Sequence, residues 1–184
     1  NHEVFFCDLG PLAEGGDLRL ECMVDRLEKT SAGWLVDGEE FDVVIVAAAQ
    51  GSAALPVLSW LPVHTVRGQI SVVAASSFSE KLQCNLCYGG YISASQDGQH
   101  MVGATFQKWL DDTDVCEKDH VDNLEKLGDF LPALVAGLTV SGGRAALRTA
   151  TPDRFPIIGQ ACDEAQNLLP GLYISSAYGS HGII

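Results

Sequence analysis

Arg148 closes a stretch of strand character and is followed by the Thr151-Pro152-Asp153 turn, within RAALRTATPDRFPIIG at 144–159. A guanidinium held there can grip a carboxylate through two parallel hydrogen bonds. A surface arginine in an ordinary ion pair would look the same, and the window leaves both readings open. A second chemical stretch, Tyr178-Gly179-Ser180-His181-Gly182, lies near the end of the sequence. Small residues after a buried strand leave backbone N–H groups bare enough to approach a planar ring. A helix starting there would add a positive end. A plain strand-to-helix turn has the same composition.

Other groupings carry less. Cys84-Asn85-Leu86-Cys87 has the spacing of half a zinc site. No second pair completes the four ligands, so no metal is expected. Asp111, Asp112 and Asp114 lack the glycine and terminal glutamate of a calcium loop and read as a solvated acidic loop. His2, His64, His100 and His120 read as solvent or loop residues; His181 stands apart inside its glycine turn. The G-x-G-x-x-G fingerprint of a pyrophosphate-binding turn is absent from the chain.

These residues need elements to hold them. Residues 2–14 suit a short helix, and Leu18 to Cys22 alternates like a strand. Asp37-Gly38 predicts a hairpin turn between Gly33–Val36 and Glu40-Phe41. FDVVIVAAA, Phe41 to Ala49, reads as a parallel strand covered on both faces. Gln69–Ala75 is a further strand. A second hairpin joins Gly90–Ser95 to His100–Thr105 around Asp97-Gly98. A helix is expected from Asp119 to Phe130, with Val121, Leu124 and Leu127 as its buried stripe. Pro132 breaks or restarts it. Strands follow at Thr139–Arg148 and Leu172–Ser176. The ends therefore suit a nucleotide-type α/β layer, and the middle an antiparallel sheet with one or two helices.

Composition narrows the function class. With 184 residues, 47% hydrophobic and 19% charged, the chain can bury one good core or two small ones. No apolar run reaches the ~20 residues of a membrane span. A net charge of −13 with 11 scattered basic residues disfavours a broad nucleic-acid footprint, so any RNA contact needs a local basic rim. The 6 irregularly spaced cysteines read as reduced thiols of a cytoplasmic protein.

In order along the chain, WLVDGEEFDVVIVAAAQGS, PVHTVRGQISVV, CYGGYISASQDGQHMVGATF, DNLEKL, ALRTATPDRFPIIG and LYISSAYGSHGI resemble the D-amino-acid-oxidase-like FAD-dependent oxidoreductases over residues 18–184. The CY-x-GY, GA-[ST]-[YF], R-x-ATxDxxPxxG and GSxG blocks resemble the branch that modifies the wobble uridine of tRNA. This resemblance implies an α/β (α+β) fold. Residues 1–60 and 151–184 would form part of a discontinuous FAD-binding domain of glutathione-reductase type. Residues 61–150 would form an antiparallel-sheet substrate domain. The missing fingerprint is then expected from a preceding segment of a longer chain, with a methyltransferase domain elsewhere in the same parent.

The resemblance also implies roles. Arg148 would pair with the substrate carboxylate, and Tyr91 would orient carboxylate or amine as a catalytic partner. Arg67 and Gln69, in an RGQ turn with Gly68, would bind substrate beside the flavin. Val24 would meet the adenine, and Ala48, Ala49 and Gly51 the adenosine diphosphate. Gly179, Ser180, His181, Gly182 and Ile183 would meet the flavin pyrimidine edge. His181 departs from an arginine common in the tRNA branch, so charge there would follow pH. Ala49-Gln50 departs from a commoner glycine turn. Ala146 stands where a cysteine attaches flavin covalently in sarcosine oxidases, so non-covalent FAD is expected.

The implied reaction removes the carboxymethyl group from carboxymethylaminomethyluridine by oxidising a C–N bond. A glycine oxidase or D-amino-acid dehydrogenase acting on free amino acids is the alternative within the fold. A cofactor-free binding domain is the alternative outside it. As a fragment, the chain alone is expected neither to hold FAD tightly nor to turn over substrate.

Overall fold

Strand periodicity and turn chemistry build three sheets in the computed structural model, which describes residues 19–179. The strands are β1 (Leu27–Lys29), β2 (Trp34–Val36), β3 (Glu39–Phe41), β4 (Val44–Val46), β5 (His64–Ala74), β6 (Leu86–Cys87), β7 (Tyr91–Ile92), β8 (Gln99–Gly103), β9 (Thr139–Ala150), β10 (Ile157–Cys162) and β11 (Leu168–Ser176). Helices α1 (Glu117–Phe130) and α2 (Pro132–Val135) stand between β8 and β9. The sheet orders are β1-β2-β3, β10-β11-β4 and β6-β7-β8-β5-β9. Only β4 and β11 run parallel; every other pair is antiparallel.

Both Asp-Gly hairpins form. Asp37 and Gly38 take φ 47 and 94, and Asp97 and Gly98 take φ 51 and 74. Those paired positive angles match the right-handed twist of the flanking strands.

The first two sheets share one core, built on Trp34, Leu58, Leu61, Leu172 and Ile174. Trp34 is buried, and its indole Nε1 donates to the Pro170 carbonyl at 2.9 Å, which ties β2 to the entry of β11. Gly171 makes this approach possible. Its φ is +81, and a Cβ there would lie 2.6 Å from the Asp42 carbonyl oxygen. Gly171→Ala is therefore expected to cost about 1–3 kcal/mol. A denaturant midpoint unchanged from wild type would contradict that.

A second core gathers Val73, Ile92, Val102 and Leu127 between the five-stranded sheet and α1.

Several expectations are corrected. Within FDVVIVAAA, Phe41 ends β3 and only Val44–Val46 form the parallel strand β4; Ile45 is 65% exposed, so no second layer covers that face among the described residues. Residues 19–22 form no strand and are exposed, having no sheet partner. The expected stripe of α1 is buried only in part: Leu127 is buried and Leu124 packs against the core. Val121 is exposed, while Asp119, His120, Asn123 and Leu127 are buried. His100 and His120 are buried rather than solvent residues. His100 Nδ1 donates to the Ser93 carbonyl at 2.8 Å, and its Nε2 meets Ser79 Oγ at 3.0 Å. Strands β1, β6 and β10 were not anticipated. The helix expected at 2–14 lies outside the described residues. Among the described residues no helix is long and apolar enough to cross a membrane.

Candidate active site on the open face of the five-stranded sheet

Antiparallel register decides which side chains meet. Residues directly opposite one another share a face, and neighbours along a strand alternate. Val66 pairs with Arg148, Gly68 with Ala146 and Ile70 with Arg144 across β5 and β9. Ile70 also pairs with Gly103 on β8, which pairs with Tyr91 on β7. Arg148, Arg144, Gly68 and Tyr91 therefore lie on one face. Arg67, Gln69 and Ser71 lie on the other, under α1.

On the open face the Arg148 side chain lies across Gly68. A Cβ at residue 68 would fall 2.5 Å from the Arg148 Cζ and overlap its Nη1. The missing side chain is thus the seat of the guanidinium. Nη1 donates to the Thr105 carbonyl at 3.4 Å. Among the described residues no carboxylate pairs with Arg148. A half-buried, oriented and unneutralised guanidinium is a site for a planar anion. The surface ion-pair alternative has no partner here.

Tyr91 is half-buried nearby. Burial holds its phenol above the ordinary value, against the opposing field of Arg148. It therefore stays an O–H donor at neutral pH. Burial, then Tyr91, pushes the neighbouring Tyr88 up to about 12. Tyr88 stacks on Phe130 at 5.6 Å between ring centroids. The hollow beside it, about 340 Å³ and lined by Tyr88, Gly89, Lys126, Asp129 and Phe130, does not include Arg148. The Arg148 site is an open sheet face and not a cavity.

Arg67 and Gln69 depart from the substrate-binding expectation. They sit mid-strand in β5, not in a turn, and are 1% and 0% exposed. Arg67 Nη1 bonds Asp119 Oδ2 at 2.5 Å and Gln107 Oε1 at 2.6 Å; Nε bonds Asp112 at 3.1 Å. Its Nη2 also donates to the Asp114 carbonyl. Gln69 bonds the Cys116 backbone in both directions, at 2.7 Å each. The bond to Asp119, foremost, raises the Arg67 pKa above its ordinary value, against the cost of burial. These groups are spent on protein partners. The acidic loop is correspondingly not merely solvated: Asp112 and the Asp114 carbonyl clasp Arg67. His120 belongs to the same layer, its Nδ1 meeting Ser71 Oγ at 2.7 Å. The sequence does not mark Gln107 and Asp119 as partners of Arg67, and Thr105 is signalled only by lying within the VGATF block.

A second grouping stands at the carboxyl ends of the parallel pair β4 and β11, where open α/β sheets bind ligands. Ala48, Ala49 and Gly51 form the turn after β4, with Ala49 at φ 50. Ala177 (φ 60) and Gly179 (φ 57) form the turn after β11. Ser176 Oγ donates to the Ala49 carbonyl at 3.1 Å, joining the two turns. Gly179 N–H donates to the Thr149 carbonyl at 2.9 Å, one residue beyond Arg148. Thr149 Oγ1 and Ser52 Oγ are buried here without a hydrogen-bond partner. Small side chains, strained turns and orphaned hydroxyls fit a flat, hydrogen-bonding cofactor laid against this edge. Val24 is 44% exposed in the coil before β1. Ser180, His181, Gly182 and Ile183 lie outside the described residues. No cluster of three or more His, Cys, Asp or Glu suited to a metal occurs among the described residues. Cys84 and Cys87 are free and exposed.

Residues 10–184 match the DAO family, FAD dependent oxidoreductase. The chain is 32% identical over 182 residues to the tRNA 5-methylaminomethyl-2-thiouridine biosynthesis bifunctional protein MnmC of Nitrosospira multiformis, covering 88% of this chain and 28% of that protein. It is 34% identical over 202 residues to the protein of that name from Paraburkholderia phytofirmans, covering 95% and 30%. The chain thus spans less than a third of these curated relatives. Among solved structures, glycine oxidase from Geobacillus kaustophilus superposes with a TM-score of 0.70 at 22% identity, over 87% of this chain and 43% of that one. Iminodiacetate oxidase from Chelativorans sp. BNC1 gives 0.68 at 25%, over 85% and 44%.

Proposed function

The chain belongs to the DAO family of FAD dependent oxidoreductases, and on that premise we propose that it is the substrate-covering, flavin-contacting part of an enzyme that oxidises a C–N bond. The observation that carries this reading is the Arg148 guanidinium, seated over Gly68 without a carboxylate partner among the described residues. The substrate is a secondary amine bearing a carboxylate. We assign it as the carboxymethylaminomethyl group of a tRNA wobble uridine, a reading supported by relatives named for tRNA modification.

Arg148 holds the carboxylate through two N–H donors, and Tyr91 donates its phenolic hydrogen to orient carboxylate or amine. The chemistry a bound flavin supplies is acceptance of a hydride from the carbon beside that amine, after which water hydrolyses the imine. Ala48, Ala49 and Gly51 would line the adenosine-diphosphate part, Val24 the adenine, and the turn from Gly179 through Ile183 the ring edge. Ala146 offers only a methyl group, so FAD is held non-covalently. Residues 1–60 with 151–184 serve the FAD-binding domain and 61–150 the substrate domain, an assignment supported by the two separate cores. The pyrophosphate turn and a methyltransferase domain belong to the remainder of the parent chain.

A second reading, oxidation of a free amino acid such as glycine, draws on the net charge of −13. Anaerobic titration of the complete FAD-loaded protein separates the two. Bleaching of the flavin by an RNA carrying carboxymethylaminomethyluridine is the expected result. Bleaching by glycine alone would transfer the assignment to the second reading. A complete protein that purifies colourless and takes up no FAD would end both.

A further inference from the structure

The strip Thr105–Gln107 runs antiparallel to Arg67–Gln69. Thr105 N–H donates to the Gln69 carbonyl at 3.1 Å, and Gln107 and Arg67 exchange bonds of 2.9 and 2.8 Å. Gln107 sends its side chain under the sheet to Arg67 and Asp119. Alternation then sends Phe106 to the opposite face, beside Gly68 and the Arg148 guanidinium. Phe106 is exposed there, and Lys108 Nζ stands 5.9 Å from its ring centroid. Trp109 follows in the same turn and is 77% exposed, the largest exposure among the large hydrophobic side chains described.

We propose that the Phe106–Lys108–Trp109 turn is an outer subsite that stacks a nucleobase of a single-stranded RNA loop, next to the nucleotide whose amine sits at Arg148; this rests on the RNA-borne substrate assigned above.

Three observations carry it. The ring is presented from a fixed base, because Gln107 and Asp112 on either side of it are bound to the buried Arg67. A fixed platform loses little freedom when a partner stacks on it. Charge is also segregated. The strands of the five-stranded sheet contain no Asp or Glu. The carboxylates of this region lie on α1 and the acidic loop, whose contacts are with the opposite face. The open face carries Arg148, and Lys108 stands over the Phe106 ring, so a polyanion can approach it in spite of the net charge of −13. Asp111, two residues after Trp109, would repel a phosphate at the ring itself. The uncharged face of a base is not repelled. The geometry therefore selects stacking over phosphate binding.

The test compares two forms of one substrate in the complete FAD-loaded protein: carboxymethylaminomethyluridine within an anticodon stem–loop, and the free nucleoside. Stacking losses on alanine substitution correspond to about 5- to 150-fold. Trp109→Ala should raise KM for the stem–loop roughly 10-fold or more with kcat little changed, and leave the nucleoside within about twofold. Trp109→Phe should recover most of the loss. Equal losses on both forms would make Trp109 a folding or flavin-packing residue and overturn the proposal, as would no loss on either. Binding of an unmodified stem–loop, followed by fluorescence anisotropy, needs no turnover. Wild-type protein that binds no stem–loop would also overturn the proposal. Binding that depends on Trp109 without turnover of the modified RNA would uphold the subsite while refuting the assigned substrate.

Discussion

Gly68→Ala should impair the complete flavoenzyme on carboxylate-bearing amines nearly as much as removal of Arg148 itself. The added methyl occupies the place where the guanidinium lies, with Cζ only 2.5 Å from the new carbon. The charge remains, but its two donors can no longer face the substrate side by side. Arg148→Ala removes the charge as well. Truncating one member of a hydrogen-bonded charge pair costs about 2–5 kcal/mol, on the order of 100-fold in kcat/KM or more. Arg148→Lys should fall between, since an ammonium offers a point charge without the planar fork. FAD content and the visible flavin spectrum should be unchanged in all three variants. Amines without a carboxylate should react as in wild type. If Gly68→Ala and Arg148→Ala both stay within twofold of wild type on a carboxymethylamine, Arg148 is not the anchor.

Loss of Arg67 is expected to act through stability instead. Arg67 and Asp119 are each 1% exposed and lie 2.5 Å apart. By contrast, Arg26 and Glu28 pair at 2.5 Å with side chains 71% and 50% exposed. A surface pair of that kind is worth about 0–1 kcal/mol. Removing one partner of a buried pair strands the other charge, at about 3–5 kcal/mol. Arg67→Ala should therefore lower the first thermal transition of the complete protein by roughly 10 °C, and Arg26→Ala by little. Replacing both partners, with Arg67→Met and Asp119→Leu, should recover part of the loss because no unpaired charge remains. The raised arginine pKa stabilises the fold below the unfolded value and is lost only as pH climbs through the folded one. Arg67 therefore contributes no pH dependence in the neutral range. A transition for Arg67→Ala within 2 °C of wild type, as measured by calorimetry, would contradict this account.

Local chemistry was legible and layering was not. The two Asp-Gly turns announce their hairpins because their backbone angles demand those residues. Arg148, two residues before the end of β9 and ahead of Thr-Pro-Asp, was legible as a candidate anion clamp. The turn behind it is locked where Asp153 accepts from Phe155 N–H at 3.0 Å and from Thr151 Oγ1 at 2.7 Å. Those bonds, the backbone one first, hold the Asp153 carboxyl below its ordinary value. The seat over Gly68 was not legible, since it depends on the register between two strands far apart in the chain. Phe41 to Ala49 is apolar throughout, but hydrophobicity alone does not tell whether a second layer lies over Ile45. Asp119, His120 and Asn123 look like a solvated helix face until Arg67, Gln69 and Ser71 are found beneath them. The same pairing turns Arg67 away from the substrate role that the resemblance of its RGQ block implies.

β9 carries Arg148 on its open face and, one residue later, the Thr149 carbonyl that receives Gly179. The spacing between the proposed carboxylate anchor and the proposed cofactor turn is therefore written into a continuous strand of backbone. One residue inserted into or deleted from β9 would rotate Arg148 to the α1 side and shift the Gly179 contact together. Length changes should accordingly be lethal there and tolerated in the turn that bears Trp109. A lineage could exchange one amine for a larger or smaller one by redrawing that turn, while the anchor and its distance from the cofactor pass on unaltered.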